Sequence, residues 1–154
     1  MKKLGFLVLA VSASIVMNSL FAAEDAKIDL KGINCPVAGT KAAKEDKSVA
    51  YKGGKVFFCC GNCPKAFEKD TAKFATKANQ QLVATKQAKQ LKCPLSGGDL
   101  NDATEIEVAG TKVKFCCNKC QGKVESAKGD EQLNLVFSDK AFEKAFKVGV
   151  DEKK

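Results

Sequence analysis

Apolar and polar positions alternate with a period of two at two places in the chain. Tyr51, Val56 and Phe58 stand around Gly53-Gly54, and further on Ile106 and Val108 alternate with Glu105 and Glu107 before Ala109-Gly110-Thr111, with Val113 and Phe115 alternating after it. Alternation on both sides of a glycine turn predicts a β-hairpin at each place. Helical spacing follows the first hairpin. Pro64 occupies a favoured first helical position, and Phe67, Phe74 and Ala78 fall at i, i+7 and i+11 on one face. A shorter helix is expected from about Gln121 to Ala127, weakened by Gly122. Leu133-Asn134-Leu135-Val136-Phe137 reads as a strand or buried run, and Ser138 would cap a last helix in which Phe142, Ala145 and Phe146 share a face and Gly149 ends the element. Residues 79–92 read both ways: their Gln, Lys and Ala content allows a continued helix, whereas Leu82-Val83-Ala84-Thr85 suits an extended segment.

The amino-terminal pattern is different. Lys2 and Lys3 precede an apolar or small-residue stretch from Leu4 to about Leu20, the form of a secretory signal peptide, with cleavage expected near Ala22 or Ala23. Leu4 to Ala23 would also be long enough to span a bilayer. Glu24-Asp25 directly after small residues, and the lack of a second apolar span, favour a cleaved peptide over an anchor. The expected organisation is a signal peptide over residues 1–23, a first module with its connecting helix over 24–90, and a second module with a carboxy-terminal helix over 91–154. A periplasmic or secreted location follows, with no membrane attachment after cleavage.

The two hairpins belong to an internal repeat. Cys35-Pro36-Val37-Ala38-Gly39 recurs as Cys93-Pro94-Leu95-Ser96-Gly97, and Val56-Phe57-Phe58-Cys59-Cys60-Gly61-Asn62-Cys63 recurs as Val113-Lys114-Phe115-Cys116-Cys117-Asn118-Lys119-Cys120. The last three cysteines of each copy are offset by 57 positions and the first by 58, so one residue is missing from the second copy's long connection.

Composition narrows the chemistry. The formal charge of +8 becomes +6 once Lys2 and Lys3 are removed, and every cationic side chain is lysine. Without arginine there is no planar fork for phosphate or guanine, and without tryptophan and with one tyrosine there is little to stack bases on, so nucleic acid is not an expected partner. The chain has no histidine, which excludes Ser-His and Cys-His catalysis and imidazole metal sites. Chemistry falls to sulfur, carboxylate or lysine, and no paired-carboxylate site is evident.

All eight cysteines lie in the two copies. A cysteine in a Cys-Pro turn, a hairpin ending in Cys-Cys, and a cysteine in the first turn of a helix would bring three or four sulfurs together. The helix N-terminus is expected to lower the pKa of Cys63 and Cys120. Adjacent strand residues face opposite ways, so Cys60 would join Cys59, and Cys117 would join Cys116, on one ion only if the strand bends as it leaves the hairpin.

Cys35, 23 intervening residues, Cys59, three residues and Cys63 resembles the TRASH pattern of heavy-metal sensing and trafficking domains, and Tyr51-x-Gly53-x-x-Val56-x-Phe58-Cys59 with Phe67 resembles the related YHS domain. The second copy, with 22 residues between Cys93 and Cys116, fits as well. The resemblance covers Cys35 to about Phe74 and Cys93 to about Ser126. It implies a small α+β, metal-stabilised fold of two tandem treble-clef-like modules, each a knuckle, a hairpin and a helix, followed by a carboxy-terminal strand and helix extension. It further implies Cys35, Cys59 and Cys63, and Cys93, Cys116 and Cys120, as ligands, with Cys60 and Cys117 as extra candidates. The chain departs from many relatives in carrying Ala38 and Ser96 where they carry cysteine, and in lacking the histidine of the YHS name. All-thiolate sites favour Zn or Cu(I), about one per module.

The expected protein is therefore a non-enzymatic, exported carrier of soft heavy-metal ions for trafficking, storage or resistance, with a protein partner for metal transfer. Two alternatives stand beside it. An even number of cysteines in a small exported chain suits a disulfide framework, and Cys60-Gly61-Asn62-Cys63 and Cys117-Asn118-Lys119-Cys120 are Cys-x-x-Cys motifs of the kind thiol-disulfide oxidoreductases place before helices. A metal could also be wholly structural, contributing folding energy to modules too small to bury much apolar area.

Overall fold

A computed structural model describes residues 27–149 of the chain; the expected signal peptide at 1–23 lies outside the described residues. The fold is small α+β, with five helices and three two-stranded antiparallel sheets among the described residues. In chain order the elements are β1 (Lys44–Tyr51), β2 (Gly54–Phe58), α1 (Asn62–Lys69), α2 (Thr71–Ala84), β3 (Ala88–Gln90), β4 (Asn101–Val108), β5 (Thr111–Phe115), α3 (Asn118–Ser126), α4 (Gly129–Phe137), α5 (Asp139–Ala145) and β6 (Phe146–Val148). No described helix is long and apolar enough to cross a membrane.

Both hairpins form, in matching register. Val49 pairs with Val56 and Tyr51 with Gly54 in the first, and Ile106 with Val113 and Val108 with Thr111 in the second, each partner displaced by 57 positions. A bulge interrupts both ladders at the same point, between Lys44 and Ser48 and between Asn101 and Ile106. The turn residues are Lys52-Gly53 and Ala109-Gly110, with φ of 49° and 87° in the first and 49° and 75° in the second. Two positive φ values make a type I′ turn, whose twist matches that of the strands it joins. The expected Gly53-Gly54 turn is thus shifted by one residue, because Gly54 is the first paired position of β2.

The missing residue of the second copy is found in the knuckle. Gly39 donates its N–H to the Cys35 carbonyl and Gly97 to the Cys93 carbonyl, both at 2.8 Å, so the copies agree up to that glycine. The Cys35 N–H then bonds to the Lys41 carbonyl, but the Cys93 N–H bonds to the Gly98 carbonyl, one residue sooner. Gly39 and Gly97 sit at φ of 76° and 79°, a conformation in which a side chain is strained.

Three helical expectations are corrected. The face carrying Phe67, Phe74 and Ala78 is divided between α1 and α2, because Asp70 leaves helical geometry (φ −146°, ψ 72°) and its carboxylate accepts the Lys73 N–H as the cap of α2. Leu133–Phe137 is helical, the last part of α4: Asp130 and Glu131 occupy its positive first turn, and Leu133, Val136 and Phe137 fall at i, i+3 and i+4. The last helix stops at Ala145, where Phe146 turns extended, and Phe146–Val148 becomes a strand pairing with β3. That strand also answers the ambiguity of residues 79–92, which are helical to Ala84 and extended from Ala88. The shorter helix expected from about Gln121 to Ala127 is α3, starting at Asn118.

One apolar core joins the copies. Val56, Phe58 and Phe67 of the first, Val108, Val113, Phe115 and Val124 of the second, and Phe137, Phe142 and Phe146 of the carboxy-terminal part are buried in a single cluster. Phe58 and Phe67 meet with ring centroids 5.4 Å apart, and Phe142 and Phe146 stack at 5.4 Å. The division expected between residues 90 and 91 falls at the end of β3, whose partner strand comes from the far end of the chain.

Candidate metal centres

Each copy brings three sulfurs together by the same three elements. Cys35 lies in the first knuckle, Cys59 directly follows β2, and Cys63 is the second residue of α1; Cys93, Cys116 and Cys120 stand at the corresponding places around β5 and α3. The Sγ atoms of Cys35, Cys59 and Cys63 all lie within 4.8 Å of one another, as do those of Cys93, Cys116 and Cys120. Cys59 to Cys63 and Cys116 to Cys120 are each 3.7 Å. Tetrahedral thiolate coordination at about 2.3 Å from zinc has sulfur–sulfur edges of about 3.8 Å, so both triads have the dimensions to hold an ion. All eight cysteines are free thiols.

Cys60 and Cys117 stay outside the triads. The chain does bend as it leaves β2 and β5, yet both residues are exposed: the Cys60 Sγ is 3.3 Å from that of Cys63, and the Cys117 Sγ is 3.6 Å from that of Cys116. Each cluster is therefore a triad with a fourth thiol at its edge.

Two glutamines that the repeat does not contain bond to the backbone beside the triads in the same way. The buried Gln81 of α2 accepts the Phe57 N–H at 2.6 Å and donates to the carbonyls of Phe57 and Asn34, both at 3.0 Å. Gln90 of β3 accepts the Lys114 N–H at 2.9 Å and donates to the carbonyls of Lys114 at 2.7 Å and Lys92 at 3.1 Å. Asn34 and Lys92 each precede the knuckle cysteine by one residue, and Phe57 and Lys114 each precede the hairpin cysteine by two. One primary amide in each copy thus ties knuckle to hairpin. Sequence reading missed both residues, because Gln81 follows the repeated motif of the first copy and Gln90 precedes that of the second.

The thiols are electrostatically unequal. Burial pushes Cys35 up, but the N–H groups of Ala38, Cys59 and Val37 outweigh it and leave the thiol below its ordinary range. Cys93 is likewise raised by burial, yet the Ser96 hydroxyl and the N–H groups of Ser96, Cys116 and Leu95 bring it to about 6. Cys63 and Cys120 are shifted upward, contrary to expectation, chiefly because they are buried, and next because neighbouring sulfurs share their protons; Cys120 reaches about 12. The helix N-termini act instead on the exposed thiols before them. Cys60 falls to about 7 through the Cys63 thiol and the Asn62 and Cys63 N–H groups, and Cys117 falls through the Cys120 N–H. Burial also raises Cys59.

No family model matches the chain, and no curated protein and no solved structure matches it. The functional reading rests on the site. Knuckle thiols drawn below their ordinary range beside buried thiols give a donor set that is soft and convergent, the combination that binds thiophilic cations and disfavours magnesium or calcium.

Proposed function

We propose that this chain is an exported, non-enzymatic metal-binding protein that holds one Zn or Cu(I) ion at each cysteine triad for trafficking, storage or resistance. The observation that carries the proposal is the repeated triad: three sulfurs within 4.8 Å, with a 3.7 Å edge, assembled twice. The order knuckle, hairpin, helix in both copies supports the TRASH and YHS resemblance and a treble-clef-like description of each module. Lys2-Lys3 and the apolar run after them support export to the periplasm or beyond. Exposed Cys60 and Cys117 at the cluster edges suit transfer of the ion to a protein partner.

Elemental analysis of protein purified without chelator, together with thiol counts before and after chelation, tests the proposal. About two ions per chain and thiols masked until a chelator is added are expected. No metal, and no reactive thiol until a reductant is added, would replace the carrier with a disulfide-stapled module.

One observation favours a second reading. Cys60 is exposed, its Sγ is 3.3 Å from that of Cys63, and its thiol is drawn down to about 7, features of an attacking thiolate in thiol–disulfide exchange. That reading predicts reduction of a small aromatic disulfide in a manner abolished by Cys60→Ser.

A further inference from the structure

The two triads are built alike but are not equally accessible, and this rests on the proposal that both bind metal. Around the first, Cys35 and Cys63 are buried, at 0 % and 8 % exposure, and Cys59 is nearly so at 9 %. Around the second, only Cys93 is buried, while Cys116 and Cys120 are partly buried. The knuckles differ as well. Ala38 presents only its N–H to Cys35, at 3.5 Å, whereas Ser96 places a hydroxyl 3.1 Å from the Cys116 Sγ. The Gly98 N–H donates to that hydroxyl oxygen at 3.1 Å, which leaves its one proton for the triad's own sulfurs, Cys116 and Cys93. An exposed edge thiol is common to both, Cys60 at 3.3 Å from Cys63 and Cys117 at 3.6 Å from Cys116, so the difference lies in the burial of the triads and in Ser96.

We infer that the second triad is the exchanging site and the first the retaining site, and that Ser96 is a positioning residue that sets the difference. Transfer of a thiolate-bound ion proceeds by ligand exchange. A lone pair of the incoming thiolate or chelator forms a bond to the ion while the bond to Cys116 breaks, its electron pair remaining on the Cys116 sulfur, with no change of oxidation state. The Ser96 hydroxyl stabilises that departing thiolate by a hydrogen bond, and the less buried sulfurs give the incoming donor a wider path than the first triad offers. Hydrogen bonds from outside the ligand set tune metal sites by roughly 10–100-fold.

The test is release of zinc(II) from the full mature chain, loaded with two equivalents and mixed with excess chromophoric chelator. Two phases of equal amplitude are expected; Cys116→Ser removes the fast one and Cys59→Ser the slow one. Ser96→Ala, an exposed change that leaves all eight thiols in place, slows the fast phase by roughly tenfold while elemental analysis still finds two ions. Equal rates from a chain that binds two ions, or a fast phase belonging to the first triad, would overturn the inequality alone. An unchanged fast phase in Ser96→Ala would overturn the role of Ser96. A chain that binds no zinc would overturn the carrier proposal and this inference with it.

Discussion

Gln81 makes three hydrogen bonds from a buried side chain, and all three go to backbone groups flanking two cysteines of one triad. Replacing it by leucine keeps the volume and orphans those groups, each at a cost of about 1–3 kcal/mol where water cannot reach. Gln81→Leu is expected to lower the midpoint of unfolding and to weaken metal binding at the first triad while sparing the second. Gln90→Leu should do the reverse, with a smaller loss of stability because Gln90 is only partly buried. Calorimetry with triad-specific competition measures both. A second prediction concerns pH. The folded Cys93 thiol titrates at about 6 against an ordinary value of 9.0, so between those values the unfolded metal-free chain holds a proton that the folded chain has released. Cys93 therefore adds stability that grows as pH rises through this window and is lost as pH falls through about 6. Ultraviolet thiolate absorption of the metal-free protein, compared with Cys93→Ser, should show the step, and Ser96→Ala should move it upward. The cysteines themselves were legible from the repeat, since spacing is what a duplicated chain preserves. Their protonation was not: the order of the pKa values depends on which sulfur is buried and which N–H groups aim at it, and proximity to a helix start misassigned Cys63 and Cys120.

The hairpins carry a local flaw that can be repaired. Ala109 is the first residue of a type I′ turn at φ 49°, where the Cβ crowds the backbone at a cost of about 1 kcal/mol or more. Ala109→Asn should recover part of that cost, raising stability by roughly 0.5–1 kcal/mol in a denaturant titration with metal stoichiometry unchanged, because asparagine tolerates the left-handed region and keeps the carbonyl that accepts from Gln80. A loss of stability would mean that the turn is held in its strained form by contacts outside it. Elements were legible in the sequence where a short periodic pattern ended in its own turn signal, as in both hairpins. They were illegible where competing signals shared a segment. Phe67, Phe74 and Ala78 keep helical spacing across a break made by the single cap Asp70, and Leu133–Phe137 is apolar enough for a strand until the acidic first turn of α4 is given weight. Phe146 has the spacing of a helix face, yet pairing with β3 claims it.

Over the whole molecule the two copies are tied by more than their connector. β3, which precedes the second knuckle, pairs with β6 at the carboxy-terminal end, and α2 of the first copy lies against α4. Asp139 at the start of α5 receives Lys52 of the first hairpin turn at 2.8 Å and the buried Asn79 of α2 at 2.9 Å. Further along α5, Lys144 donates to the Leu95 carbonyl in the second knuckle at 2.9 Å, and the Ala145 carbonyl accepts the Leu91 N–H at 2.7 Å. One helix therefore touches the hairpin of one cysteine triad and the knuckle of the other, above a core that both copies share. Independent modules would unfold independently; a shared core makes the loss of either expose the other. The chain is expected to melt in a single transition, the same for probes placed in either copy, and zinc at either triad should raise that one midpoint. At a free metal concentration of about 1,000 times the dissociation constant, one site adds roughly 4 kcal/mol, enough to raise the midpoint by about ten degrees or more. Cys59→Ser should therefore lower the zinc-loaded melting temperature seen by a probe in α3 as much as by one in α1. A first-copy probe that shifts alone would divide the molecule into two bodies and confine each ion's stabilising effect to its own module.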